Sequence, residues 1–95
     1  MTEPPKKIDG AEVLQVARLD HSTPTGRTRH AIAGREVTAF AGLALAQYDD
    51  DPGVYLFYCD KDWNAVTDTY HDNLENAIAQ AEFEFYPIEF APVAT

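Results

Sequence analysis

The residues most able to do chemistry lie together in one stretch, VYLFYCDKDWNAVTDTYHD, residues 54–72. It holds the single cysteine, Cys59, the single tryptophan, Trp63, one of the three histidines, His71, and aspartates at alternating positions. A cysteine beside a histidine could form a nucleophile and its general base. Alternating aspartates could form a calcium loop.

The aspartate pattern matches an EF-hand loop only in its first half. The residues that correspond to the odd-numbered loop positions are Asp60, Asp62, Asn64, Val66 and Asp68. The position of the required glycine holds Ala65, and the position of the bidentate carboxylate holds His71. We therefore predict no metal site and no cofactor, and we interpret the aspartates as turn residues of a hairpin.

The same hairpin separates Cys59 from His71. If its turn is centred near Asp62, Cys59 pairs with a residue near Ala65 and His71 with one near Gly53, on the order of 20 Å apart at about 3.3 Å per residue. This distance argues against a nucleophile and base. Cys59 is predicted to be a buried, unreactive thiol.

No other motif predicts catalysis. The only serine, Ser22, has no nucleophile-elbow context, and the five glycines lack phosphate-loop spacing. One basic cluster contains Arg27, Arg29, His30 and Arg35. It could bind an anion, but we prefer the interpretation that it balances the acidic residues. We therefore predict that the chain is not an enzyme and that it has no catalytic residues.

The charge is divided unevenly along the chain. Of the net charge of −9, residues 1–35 contribute +2, and residues 36–95 contribute −11 because they hold twelve acidic groups and one base, Lys61. An acidic surface repels phosphate backbones and anionic lipids, so nucleic-acid and membrane partners are disfavoured. The charge favours either solubility by self-repulsion or a basic protein partner.

The length of 95 residues indicates one domain. Residues 1–10, with two prolines and two lysines, are predicted to be a flexible tail, and residues 11–95 the domain. No apolar run reaches about 18 residues, and no apolar segment follows the lysines as in a secretory signal. A single cysteine cannot form an internal disulfide, which favours a cytoplasmic location.

Extended segments dominate the chain up to residue 71. Strands are predicted at 11–19, at two short pieces around Gly34, and at 38–48, 54–59 and 65–71. The segment DDDPG is the clearest turn between two of them. The fold is therefore predicted to be α+β, an antiparallel sheet of about four strands with one C-terminal helix packed on one face.

The helix is predicted from near Asn73 to near Phe85. Asp72 is the expected N-cap, and Glu75 three residues later completes a capping box. One apolar stripe at helical spacing contains Leu74, Ala77, Ile78, Ala81 and Phe85. Pro87 ends the helical pattern, and the following PIEF is expected to be extended and to add to the sheet edge.

The segment 54–59 is apolar on both faces, which is typical of a strand that is covered on both sides. One helix cannot cover both faces, so either the sheet wraps on itself, or a second copy or a partner covers it. We predict self-association or partner binding through a surface that contains Tyr55, Phe57, Trp63 and Tyr70. Trp63, at a turn, either caps the core or anchors a contact.

The segment 48–85 resembles small uncharacterised bacterial proteins with a similar YLFYCD, Trp-Asn, DTYH and QAEFEF core, a family without an established activity. The segment DTYHDNLENA is also similar to the strand–strand–helix shape of HicB-type antitoxins, although residues are inserted between Thr69 and Leu74 and their DNA-binding tail is missing. The resemblance to the first family implies a bacterial protein and no particular activity. An immunity-like or antitoxin-like role against a basic partner is suggested instead by the acidic half of the chain.

Two functions are compatible with these patterns. The first is a non-enzymatic, acidic, cytoplasmic protein-interaction module. The alternative is a small-ligand binder or enzyme with a pocket between sheet and helix, built around Tyr58, Cys59, Tyr70 and His71. A cavity with convergent polar groups would favour the alternative, and a filled core would favour the first.

Overall fold

The computed structural model describes residues 2–28, 30–32, 34–37 and 39–93. It contains one helix, α1 (Leu74–Glu84), and a mostly antiparallel, curled sheet, so the predicted α+β class is confirmed. The strands in chain order are β1 (Lys7–Ile8), β2 (Ala11–Arg18), β3 (Thr23–Pro24), β4 (His30–Ile32), β5 (Arg35–Val37), β6 (Gly42–Gln47), β7 (Val54–Cys59), β8 (Ala65–His71), β9 (Phe85–Tyr86) and β10 (Ala91–Pro92).

The main sheet has more strands than predicted. Its order is β1-β2-β6-β7-β8, with β10 also paired to β2, so it has six strands where about four were expected. The additional members are the short strands β1 and β10, which pair with opposite ends of the same edge of β2. Two-residue strands carry too little periodicity to be recognised in a sequence.

The N-terminal segment departs from the expected flexible tail. Lys7 and Ile8 pair with Glu12 and Ala11 of β2, and the Ile8 side chain is buried. The tight connection between β1 and β2 includes Gly10, whose φ of 84° is easily adopted only by glycine. Burial of Ile8 therefore draws the end of the predicted tail into the sheet.

The two central hairpins match the sequence closely. β7 occupies the predicted residues 54–59 and β8 the predicted residues 65–71. Cys59 pairs with Ala65, and Val54 pairs with His71, so the predicted register is confirmed to within one residue. The strand expected from residue 38 begins at Gly42 instead, and residue 38 lies outside the described residues.

The N-cap of α1 is Asn73, one residue after the expected Asp72. The Asn73 side chain accepts a hydrogen bond from the Asn76 backbone N–H at 2.8 Å. Asn73 has the extended backbone that a cap requires, and its amide oxygen reaches the third residue of the helix as a cap should. The predicted capping box of Asp72 and Glu75 therefore does not form.

The core lies on both faces of β6 and β7. The helix-facing cluster contains Leu19, Leu43, Leu45, Val54, Leu56, Tyr58, Ala77, Ala81 and Phe85. The cluster on the other face contains Ile8, Ala11, Val13, Val16, Ala44, Ala46, Phe57, Cys59 and Trp63. The curled sheet thus covers its own second face, the first of the alternatives that the sequence left open. The predicted apolar stripe of α1 is confirmed, with Leu74 and Ile78 partly buried against the helix-facing cluster.

Among the described residues, no helix is long and apolar enough to cross a membrane.

Candidate functional site

The aspartate-rich segment between β7 and β8 is a tight turn. Asp60 Oδ1 accepts hydrogen bonds from the backbone N–H groups of Asp62 at 2.8 Å and Asn64 at 3.0 Å. These hydrogen bonds, chiefly the one from Asn64, hold the pKa of Asp60 below its ordinary value. The predicted turn chemistry is confirmed. In the part of the chain that the structure describes, no group of three or more potential ligand side chains is placed to hold a metal ion.

The four residues expected to line a pocket between sheet and helix do not converge. Tyr58 and His71 lie on the helix-facing side of β7 and β8. Cys59 belongs to the opposite cluster, and Tyr70 pairs with Tyr55, which packs against that cluster. Neighbouring residues of a strand point to opposite faces, so this set divides into two pairs.

A different polar cluster lies at the end of α1. Glu84 is only 4% exposed, and its Oε1 atom lies 2.7 Å from His30 Nε2 of β4. Its Oε2 atom accepts hydrogen bonds from Gln80 Nε2 at 3.0 Å and from the Tyr58 hydroxyl. Both carboxylate oxygens are therefore occupied by groups of the chain itself. The cluster joins β4, β7 and α1.

The Tyr58 phenol of this cluster is held in its neutral form. Its ring lies 4.3 Å from the His30 ring and 5.4 Å from the Phe40 ring, measured between centroids. Burial, reinforced by the Glu84 carboxylate, raises the pKa of Tyr58 well above its ordinary value of 10.0. Nearby, His71 Nε2 lies 2.7 Å from Thr69 Oγ1, and burial lowers the pKa of His71 below 6.5 despite the Glu84 charge.

The buried thiol of Cys59 predicts an alkaline limit to stability. Burial, with smaller effects of Asp60 and Asp9, raises the pKa of Cys59 from 9.0 to about 12. Between these values the unfolded thiol loses its proton and the folded one keeps it, so the free energy of unfolding falls as the pH rises. One such proton changes this free energy by at most about 1.4 kcal/mol per pH unit.

We expect Cys59→Ala to remove the part of this decline that begins near pH 9. Urea unfolding of the native protein and of the variant, at a series of pH values from neutral upward, measures this decline. The variant should be less stable by a constant amount at neutral pH, since a small cavity replaces the sulfur. The two stabilities should then approach each other above pH 9. A constant difference across the alkaline range would contradict the prediction.

The structure divides the four residues of the predicted interaction surface. Phe57 and Trp63 are each 2% exposed and lie in the core, so neither presents a side chain at the surface. Tyr55 is partly buried, and Tyr70 is 47% exposed. The face of β7 that was expected to support self-association is mostly covered, because β1, β2 and Trp63 pack over Phe57 and Cys59, and its Tyr55 end is partly exposed.

Tyr55 and Tyr70 instead belong to an aromatic surface with Tyr48, the residue that follows β6. The Tyr55 ring centroid lies 5.4 Å from that of Tyr48 and 4.8 Å from that of Tyr70. The three rings cross the sheet from the end of β6 to β8, and we call them the tyrosine row. Gly53 leaves room for it, because a Cβ atom at this position would overlap the Tyr70 phenol.

Carboxylates flank the tyrosine row. The Tyr70 hydroxyl donates to Asp51 Oδ1, which also accepts from the Gly53 N–H at 2.9 Å. The hydrogen bond from Tyr70, and then the one from Gly53, hold the pKa of Asp51 below its ordinary value. The same bond to Asp51, and then burial, raise the pKa of Tyr70 above its ordinary value. Burial, and then Asp9 and other neighbours including Asp68, raises the pKa of Tyr48. The row thus presents phenol rings beside carboxyl groups of aspartates.

The basic cluster expected from the sequence is dispersed. His30 belongs to the Glu84 cluster, and the guanidinium carbon of Arg27 lies 5.3 Å from the centroid of the exposed Phe83 ring. Arg35 is exposed, and Arg29 lies outside the described residues.

Two functional groups were missed in the sequence. A hairpin centred on DDDPG pairs residue 48 with residue 54, which would place Tyr48 and Tyr55 on opposite faces, whereas the observed pairing of Ala46 with Tyr55 places both tyrosines on the same face. Glu84 follows Ala77 and Ala81 at helical spacing, so it lies on the buried stripe of α1, where an acid requires partners. No local signal indicated that His30 is one of them.

No family model, no curated protein and no solved structure matches the chain.

Proposed function

We propose that the chain is a non-enzymatic, acidic interaction module that binds a basic protein partner through the tyrosine row. The observation that carries the proposal is the row itself, three phenol rings in edge-to-face contact with Asp9, Asp51 and Asp68 beside them. Lysine and arginine side chains bind to aromatic faces by cation–π attraction and to carboxylates by ion pairing. The row combines both.

The charge of the chain supports the same partner. The net charge of −11 over residues 36–95 attracts a basic protein at a distance and speeds its encounter. The pKa values of Tyr48 and Tyr70 are raised above the ordinary value of 10.0, so these two phenols stay neutral beyond the pH at which a free tyrosine ionises. Asp51 holds the Tyr70 hydroxyl, so this exposed ring is oriented before any partner arrives.

A basic partner is preferred to the two other functions considered. Self-association would bring two chains of net charge −9 together, and the apolar residue Phe57 that was to drive it is buried. An enzyme would need reactive groups open to a substrate, whereas the Glu84 oxygens are bonded internally. One form of this proposal is the inhibitory partner of a basic protein, as in an immunity protein or antitoxin.

The test is a titration of the protein with a capped arginine peptide, in which binding is monitored through the NMR signals of the tyrosine rings. We expect Tyr70→Ala and Asp68→Asn each to weaken binding by roughly five-fold, the effect of about 1 kcal/mol. Rising salt should weaken binding to the native protein, because an exposed ion pair is screened.

Two matched variants serve as controls. Glu75→Gln removes the same charge from an exposed position on the first turn of α1, and Phe83→Ala removes an exposed ring of α1. We expect both to leave the affinity within about two-fold of the native value, since surface changes far from a contact have little effect. An equal loss for Glu75→Gln and Asp68→Asn would mean that only net charge matters and would overturn the proposal.

A further inference from the structure

The two edges of the main sheet differ. The outer edge of β2 is occupied by β1 near one end and by β10 near the other. The opposite edge is β8, the last strand in the sheet order. Among the described residues, β8 pairs with β7 alone, so alternate backbone N–H and C=O groups along its seven residues face outward without a strand partner.

β8 lacks most features that block pairing at an edge. Its sequence AVTDTYH contains no proline, glycine or lysine, and its register irregularity lies at the Cys59 end, away from the middle. The exposed Asp68 is its one charged side chain apart from any charge on His71. An edge of this kind can accept another extended segment through main-chain hydrogen bonds.

The position of Asp68 indicates the chemistry of that segment. Asp68 is the central residue of β8, so a second copy paired around the middle of the strand would place Asp68 opposite Asp68. Like charges in directly opposite positions destabilise a strand pair. A lysine or arginine in that position would instead form a cross-strand ion pair. Two residues further on the same face is Tyr70 of the tyrosine row.

We propose that β8 receives an extended basic segment of the partner as an added strand, with a lysine or arginine opposite Asp68 and alternate side chains reaching the tyrosine row. This inference rests on the proposed function for the basic character of the partner. It adds that the partner is recognised through its backbone as well as through its charge. The segment need only be extended, have basic residues at alternate positions, and be about as long as β8, which has seven residues.

The test uses a capped peptide of the length of β8 with lysine and valine at alternating positions. This seven-residue peptide begins and ends with lysine, and two isomers of it each carry three backbone N-methyl groups, one on three of the four lysines and the other on the three valines. Their charge and composition are equal, but in an extended segment the two sets of N–H groups point to opposite sides. We expect their affinities to differ by about ten-fold or more, because only one isomer keeps the hydrogen bonds to β8.

Hydrogen exchange gives a second readout on the native chain. With the unmethylated peptide bound, alternate amides of β8 should become protected, and the amides already paired with β7 should change little. Equal affinities of the two methylated isomers, without new protection in β8, would overturn strand addition while leaving the tyrosine row proposal intact. No binding of the unmethylated peptide would overturn both.

Discussion

Replacing Trp63 by alanine is expected to lower the free energy of unfolding by about 3–5 kcal/mol, the range for removal of a buried aromatic side chain. The Trp63 ring lies in the cluster on the second face of the sheet and is 2% exposed. Its Nε1 donates to the Thr2 carbonyl oxygen at 2.8 Å, and the Arg18 guanidinium carbon lies 5.9 Å from its ring centroid. Urea unfolding followed by circular dichroism measures the loss.

A comparison of alanine with glycine at this position tests the backbone as well. Trp63 has a φ of 64°, in the left-handed region that a residue with a Cβ atom rarely adopts. Glycine removes that strain, worth about 1–2 kcal/mol, although it also makes the unfolded chain more flexible. We therefore expect Trp63→Gly to be at least as stable as Trp63→Ala, the reverse of the usual order in strands and helices.

Phe83→Ala is the matched control for Trp63, because Phe83 is also aromatic but is 45% exposed. Its cost should stay below about 1 kcal/mol, since much of its ring remains in water when the chain is folded. Similar losses of unfolding free energy for Trp63→Ala and Phe83→Ala would show that the indole is not part of the core. The alternative prediction, that Trp63 anchors a contact, would then be favoured.

Replacing Glu84 by alanine is expected to cost about 3–5 kcal/mol, the range for removal of one partner from a buried charged cluster. The change leaves the Tyr58 hydroxyl and His30 Nε2 without their acceptor in a region closed to water. Each buried group without a partner costs about 1–3 kcal/mol. Chemical denaturation measures the total, and hydrogen exchange in β4 should show that this strand loses protection.

Glu82→Ala is the control for Glu84, because it removes the same charge two residues earlier in α1 from an exposed position. Glu82→Ala should change the free energy of unfolding by no more than about 0.5 kcal/mol. Tyr58→Phe should reduce the additional loss caused by Glu84→Ala, since the phenol is then absent as an unpaired donor. Additive losses in the double variant would contradict the hydrogen bond between the two side chains.

The central hairpins could be predicted because their information is local. The limits of β7 and β8 and the pairing of Cys59 with Ala65 follow from side-chain types and from one turn. The same register separates Cys59 from His71, which pair with Ala65 and Val54 at opposite ends of the hairpin. The apolar stripe of α1 was equally readable, because helical spacing alone determines which residues share a face.

Errors arose where neighbouring residues compete for one role. Asp72 and Asn73 are both good N-caps by type, and the path of the chain out of β8 selects Asn73. The proposed pocket grouped Tyr58 with Cys59 although adjacent residues of a strand point to opposite faces. Ile8 was assigned to a flexible tail because a two-residue strand carries almost no periodicity. The extended segment expected to join the sheet edge was residues 87–90, whereas β10 comprises Ala91 and Pro92 and pairs with β2, which is distant in the sequence.

Residue types and spacing alone establish that the strand at residues 54–59 is apolar on both faces, that Trp63 follows it at a turn, and that the acidic residues concentrate after residue 35. The packing of the whole chain was needed to show that the curled sheet and Trp63 cover most of the second face, that Glu84 contacts His30, and that Tyr48, Tyr55 and Tyr70 form one surface. This difference arises because periodicity specifies which side of an element must be buried. Which distant segment covers that side depends on how the whole sheet bends and packs.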